Sequence, residues 1–396
     1  MLVVKEALDM ALPTIKSIGA AADFTKTVLP FTWQLRELPQ RLLQHWSDVE
    51  ELKAIYLSTN PLISAFAFSL FLFPIFLVVS EINRNYSQVD RLWSILPTIY
   101  NAHFCAYAHL AGLRTERLDT LLAFSGIWSV SRATTSASFQ VSQGTVTYSS
   151  SQCRLTFNYW RKGGYSIGSE DYRWEILRTK ISPPLFFLFN VAFISLAQSI
   201  LLFSISMPTY VILLVSQLHP EESSLADIVF TRVLMGLVLV EFFADHQQWQ
   251  FQQAKKEYQA TAKAPHKFEA EDLDRGFVVT GLWAWSRHPN FAAEQAIWVV
   301  LYQYGCYLTN TYYNWTAVGA VGYLILFQAS TWFTELISAG KYPEYREYQM
   351  RVGKFLPRMS VDPKGEHVDG QPRELNKAEK SVMKEVAKKE GGKKQQ

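Results

Sequence analysis

Arg287 and His288 stand directly before Pro289, and Asn290 and Glu294 follow it at the spacing of one helical turn. Proline suits the first position of a helix, where its missing N–H costs nothing, and its ring steers the preceding residue away from helical angles. A helix is therefore expected to begin at Pro289. The free N–H groups of its first turn, the positive end of its dipole, the Arg287 guanidinium and a protonated His288 can converge on one phosphate. Asn290 and Glu294 share a face one turn further in. The apolar residues behind them, 295–309, read as a membrane span, where a carboxylate needs a partner. Taken alone, Arg287 and His288 serve equally well as interfacial anchors, with Glu294 near the headgroups.

Other polar groups interrupt apolar sequence in the same way. Glu241, Asp245, Gln248 and Gln252 recur at i, i+4, i+7 and i+11 after the apolar run 226–240, so one helical face carries all four. Such a stripe either lines a cavity or is the solvated continuation of a span that ends at Glu241. Arg154, Asn158, Tyr159, Trp160, Arg161 and Lys162, followed by two glycines and by Glu170 to Trp174, combine cations with stacking aromatics. Those groups suit a phosphate and a flat base, and equally a positive cytoplasmic loop. Asp90 lies beside Arg91 at the mouth of another apolar run, and Tyr345, Tyr348 and Arg351 share a helical face beyond Glu335.

The elements that must position these groups are membrane helices. Mean hydropathy is near zero, but the apolar residues are concentrated: residues 62–80 run for 19 positions without a charge, about the length that crosses a bilayer core. Similar runs occupy 92–112, 118–130 continued at 153–160, 184–218 as two passes broken at Pro208, 226–244, 295–309 and 315–334. The fold class expected is all-α, a polytopic bundle of about seven transmembrane helices. An aromatic share of 14% fits interfacial Trp and Tyr belts. Cys105, Cys153 and Cys306 show no CxxC pairing and read as reduced core residues, so no metal site is expected. A net charge of +3 gives no sign of a nucleic-acid partner.

Three regions follow from this pattern. Residues 1–61 carry mixed charge at helical spacing, without a signal-peptide core, and read as an amphipathic interfacial segment. Residues 62–357 form the transmembrane domain. Residues 358–396 lose their aromatics and read as a basic disordered tail on the cytoplasmic side, whose Lys393-Lys394 resembles a dilysine signal for retrieval to the endoplasmic reticulum.

Taken together, NYSQVDRLWS at 85–94, RLTFNYWRKGGY at 154–165, EDYRW at 170–174, ADHQQWQF at 244–251, GLWAWSRHPNFAAE at 281–294 and YPEYREYQMRVGKFLP at 342–357 resemble the steroid oxidoreductase-like membrane proteins. That family joins the steroid 5-alpha-reductases to the uncharacterised DUF1295 branch, to which the likeness is greatest. The resemblance implies NADPH bound from the cytoplasmic side without a Gly-rich Rossmann turn, and the sequence contains no G-x-G-x-x-G. Carried onto matching positions, it assigns Arg287, His288 and Asn290 to the phosphates or adenosine and Glu294 to the nicotinamide carboxamide. Asp245, Arg154, Asn158, Arg161, Tyr345 and Tyr348 complete the cofactor shell. Phe291 stands where tyrosine is commoner, so no hydroxyl is available there. The implied reaction is reduction of a carbon–carbon double bond conjugated to a carbonyl in a lipid-soluble substrate, with Tyr159 or a protonated Asp90 as the acid and Glu294 at the cofactor. Two rival readings are a methyltransferase using S-adenosylmethionine on isoprenylcysteine or phospholipid, which has a similar Arg-His-Pro pattern, and a non-catalytic lipid-binding protein.

Residues 130–152 interrupt the pattern with a Ser/Thr-rich run that lacks Leu and Ile. Without it, GIWS joins CRLTFNYWRKGGY in one span of plausible length. Val130-Ser131 is encodable as GTAAGT and Gln152 as CAG, the consensus ends of an intron. The segment is thus either a translated intron or an extramembrane loop. Transcript sequencing separates these: the intron reading expects the main message to lack the segment, and a main message retaining it would end that reading.

Overall fold

The computed structural model describes residues 2–131, 170–218 and 224–357, with 379–380 and 382–383 in the tail. The described residues are helical without a β-strand, as the apolar periodicity predicts; one isolated parallel bridge pairs Ser286 with Gly353. Among the described residues three helical stretches are long and apolar enough to cross a membrane: Pro61–Asn83, Pro183–Ser216 and Ala317–Lys341. The other expected spans that are fully described form helices that are shorter or less apolar, and the span continued at 153–160 lies partly outside the described residues, so the expected count of about seven is not confirmed. The 92–112 run, for example, yields a helix of 15 residues, Leu96–Leu110, only about 22 Å long at 1.5 Å per residue.

The chain divides into two compact units, residues 1–235 with 298–323 and residues 236–297 with 324–396. In the first, helix α1 (Leu2–Ala11) packs on α3 (Val49–Ser58), with α2 (Gln34–Gln44) between them in sequence. Residues 2–61 thus pack within this unit, where Ala11, Ala21, Val28 and Phe31 are buried while Leu43 and Trp46 are exposed. Asn60 caps α4 (Pro61–Asn83) by accepting from the Leu62 and Ile63 amides. Its own side-chain amide donates to the Ala11 carbonyl and the Tyr210 hydroxyl, both at 2.9 Å. Tyr210 in turn donates to the Thr27 carbonyl at 2.8 Å.

Helices α5 (Gln88–Leu92), α6 (Leu96–Leu110), α7 (Glu116–Ser131) and α8 (Tyr172–Lys180) follow. The 184–218 run then forms α9 (Pro183–Phe189), a π-helical stretch at Asn190–Ala197, α10 (Gln198–Ser204) and α11 (Met207–Ser216). The break falls one residue before the pair Met207-Pro208, because proline accepts a helix start but not its interior. All ten residues of α11 are buried. A helix apolar all round and only about 15 Å long serves as core rather than as a second pass.

The second unit takes residues from 236 onward of α12 (Leu225–Thr261), then α13 (Ala270–Arg275), the start of α14 (Pro289–Leu308), residues from 324 onward of α15 (Ala317–Lys341), and α16 (Tyr345–Arg351). The segment after α13 runs between two small cores. Phe277 and Val279 pack with Tyr345, Tyr348 and Val352, while Val278 packs with Phe251, Leu273 and Trp283. This alternation is the two-residue period of extended chain. Gly276 starts the segment at φ 88°, and a Cβ there would lie 2.6 Å from the Tyr342 ring, so both conformation and space require glycine.

The Asn60 hub gives the first unit a test. Asn60→Ala removes a helix cap and the partner of Tyr210, a cost of about 2–3 kcal/mol. Asn83→Ala, at the exposed far end of the same helix, should stay within about 0.5 kcal/mol of the parent. Denaturant unfolding of the two variants checks the difference, and equal stabilities would contradict the hub.

Candidate functional site

Helix α14 begins at Pro289, as the sequence predicts. A 3-10 turn at Gly281–Ala284 leads into it, and backbone pairing then fixes the two residues before the proline. The Arg287 amide donates to the Gly353 carbonyl at 2.9 Å and the His288 amide to the Lys354 carbonyl at 3.2 Å. Their side chains turn toward α15. Arg287 donates from Nε to Oε1 of Glu335 at 2.6 Å and from Nη2 to Oε2 at 3.1 Å. Its Nη1 donates to the carbonyls of Gln349, at 2.9 Å, and of Val352. The Gln349 amide also donates to Glu335, at 3.1 Å.

His288 Nε2 lies 2.9 Å from the same Glu335 oxygen. A carboxylate only accepts, so Nε2 carries a proton and donates it. Burial pushes the His288 pKa below the usual histidine value despite the opposing pull of Glu335, so the ring is neutral near pH 7. The ring stacks on Phe291, with centroids 5.5 Å apart and planes 15° from parallel. Arg287, His288 and Glu335 are all under 9% exposed. Their first partner in this conformation is therefore an internal carboxylate, and they do not converge on an external anion.

Tyr345 and Tyr348 behave similarly. Both are buried in the aromatic core around Phe277, and the Tyr348 hydroxyl donates to the Trp283 carbonyl at 2.5 Å. Burial pushes the Tyr348 phenol upward, so it stays protonated. One edge of Tyr348 borders a cavity of about 300 Å³ whose rim sets five carboxylates, among them Asp272 and Glu347, against Arg275 and Arg351. A rim with that surplus of negative charge repels phosphate.

The expected polar stripe is present on α12, which stays helical through Thr261. Asn290 of α14 donates from Nδ2 to Oδ1 of Asp245 at 2.9 Å, so the Asn290/Glu294 face of α14 meets this stripe. Glu241 is 1% exposed and Glu294 3%. Two acceptor atoms of the seam, Asn290 Oδ1 and Gln248 Oε1, are buried without a hydrogen-bond partner. The seam offers carboxylates and amide oxygens, a set that receives N–H donors and positive charge.

In the first unit the stretches 85–90 and 170–174 dock on each other. Glu170 accepts from the Tyr86 amide at 2.9 Å and from Arg178 at 2.7 Å, and the Asp171 amide donates to Ser87 Oγ at 2.9 Å. Asp90 accepts from Trp174 Nε1 at 2.9 Å. Desolvation pushes the Asp90 carboxyl above the usual range, and nearby Asp171 adds to the rise while Arg173 opposes it.

The family model described as "Protein of unknown function (DUF1295)" matches residues 145–352, just over half of the chain. The chain belongs to the DUF1295 family. A Schizosaccharomyces pombe protein described as uncharacterized is 34% identical over 364 residues, covering 91% of this chain and 96% of the relative. No solved structure matches the chain.

In this DUF1295 protein, then, the structure brings together Asp245, Asn290 and Glu294 in one seam, and Arg287 and His288 around Glu335. Asp90 lies in the first unit, against Trp174. Arg154, Asn158, Tyr159 and Arg161 lie outside the described residues. Glu335 was the partner missed in the sequence, although its position inside an apolar helix carried the same signal as Glu294.

The ion pair generates a stability prediction. Glu335→Ala leaves Arg287 buried beside no carboxylate and should cost about 3–5 kcal/mol, whereas removing an exposed pair costs about 1 kcal/mol or less. Arg84→Ala, which breaks an exposed bond to Glu81, supplies that comparison in thermal unfolding. A Glu335→Ala protein as stable as Arg84→Ala would show that the pair contributes nothing.

Proposed function

We propose that this protein is a membrane oxidoreductase that uses NADPH to reduce a carbon–carbon double bond conjugated to a carbonyl in a lipid-soluble, steroid-like substrate. The observation that carries the reading is the α12–α14 seam, where Asp245, Asn290 and buried Glu294 gather beside two amide oxygens with no partner. Those atoms fit a carboxamide, whose N–H groups need acceptors. The carboxylates would favour a bound ring that becomes positive. Bound there, NADPH would supply hydride for the β-carbon. Arg287 and His288 are committed to Glu335; the family resemblance also assigns Asn158 and the cations Arg154 and Arg161 to the cofactor. Asp90, raised by burial, or Tyr159 holds the proton that polarises the carbonyl oxygen. The basic tail with Lys393-Lys394 supports a cytoplasmic C-terminus at the endoplasmic reticulum.

One observation favours a second reading. A seam rich in carboxylates also suits a ligand with a permanent positive charge, such as the sulfonium of S-adenosylmethionine in a lipid methyltransferase.

Thermal unfolding of the full chain in detergent, with each ligand in turn, separates the two. NADPH at about a hundredfold excess over its Kd should add about 2.7 kcal/mol, and Glu294→Gln should abolish the gain. Stabilisation by S-adenosylmethionine alone would replace the reductase with the methyltransferase. Response to neither ligand would rule out both.

A further inference from the structure

The corner between α6 and α7 holds three metal-ligating side chains that the proposed reaction does not use. Cys105 and His109 lie four residues apart on α6 and so share its face. After a tight turn in which Gly112 takes φ 67°, Asp119 of α7 is set opposite them. Asp119 Oδ1 accepts from Cys105 Sγ at 3.0 Å and lies 2.8 Å from His109 Nε2. One ligand atom from each of the three residues falls within 4.8 Å of the others.

We infer that Cys105, His109 and Asp119 form a binding site for a soft divalent transition-metal ion, with zinc the best match. The ligand set selects the class: thiolate and imidazole suit zinc-like ions, whereas magnesium and calcium take oxygen donors. The spacing agrees. Metal–ligand bonds of about 2.0–2.3 Å at tetrahedral angles put ligand atoms about 3.4–3.6 Å apart. The two separations to Asp119 Oδ1 therefore need to open by only about half an ångström. The charges also balance, since a thiolate and a carboxylate together neutralise one divalent ion while the imidazole stays neutral. Binding forms the metal–sulfur bond, breaks the S–H bond and releases one proton to solvent.

The three residues form a floor and two walls. Cys105 is 2% exposed and lies at the base, while the side chains of His109 and Asp119 are 56% and 47% exposed at the mouth. Three protein ligands with an open mouth leave the fourth position to water or to an incoming ligand, the arrangement of a reactive site rather than a closed structural one. An exposed His–Asp pair alone contributes little to stability. With a metal, the same corner becomes a cross-link between α6 and α7. On this proposal Cys105, buried and reduced as its sequence context suggests, serves as a ligand as well.

The test uses full-length, tag-free protein in detergent, reduced and stripped with a chelator, then titrated with Co²⁺. The expected result is one cobalt per chain with a thiolate-to-metal charge-transfer band in the near ultraviolet, displaced by Zn²⁺. His109→Gln and Asp119→Asn, both at exposed positions that leave folding intact, should weaken binding by more than about 100-fold, beyond the loss of an outer-shell partner. Cys105→Ser should lose the band. Absence of the band from the parent protein overturns the proposal. So does a band of unchanged strength and affinity in His109→Gln and Asp119→Asn, which would assign the thiolate to Cys153 or Cys306.

Discussion

The second unit is organised around the Arg287–Glu335 ion pair. A carboxylate in the apolar helix α15 and a guanidinium at the mouth of α14 each cost several kcal/mol to take out of water, and each is tolerable only because the other is there. The two N–H···O bonds fix the guanidinium plane, and its remaining donors then fall on the Gln349 and Val352 carbonyls. That contact holds the chain beyond α16 against the residues before Pro289, where the Arg287 and His288 amides complete the pairing. One charge pair thus decides how α15 lies beside the start of α14 and where residues 349–354 run.

The first unit obeys the same constraint with different residues. Arg117 of α7 makes a two-point contact with Asp227 of α12, at 3.1 Å for each bond, and the Tyr304 hydroxyl donates to Asp227 at 2.5 Å. Asn190, in the π-helical stretch, donates to Ser80 and Glu81 of α4 at 2.9 Å each. In apolar surroundings a lone polar side chain loses its hydration without return, so each such group fixes the position of another helix. Register between these helices is set by the polar pairs, because apolar faces alone allow sliding.

This explains which features could be read in the sequence. Pro289 announced the start of α14 through local backbone sterics, and the i, i+4, i+7, i+11 stripe of α12 followed from helical period alone. Both are short-range properties. The partners were not legible: nothing local distinguishes an Arg287 that meets a phosphate from one that meets Glu335, 48 residues later. Tyr345 and Tyr348 illustrate the same limit, since a shared face predicts a common neighbour but not whether it is a ligand or the Phe277 core. The run 184–218 has the composition of two passes, yet α11 is enclosed on all sides by its own unit, an outcome that hydropathy does not distinguish from contact with lipid.

The commitment of Arg287 and His288 to Glu335 also changes which ligand chemistry the second unit favours. Once those cations are withdrawn, what remains is the acidic rim near Tyr348 and a seam of carboxylates and amide oxygens. Coulomb energy there favours a positive or donor-rich ring and opposes a phosphate. The stretch 154–162 has the reverse character, with Arg154, Arg161 and Lys162 in nine residues and no carboxylate among them. The family resemblance, rather than the charge of the seam, is what sets the proposed nicotinamide reading above the sulfonium one.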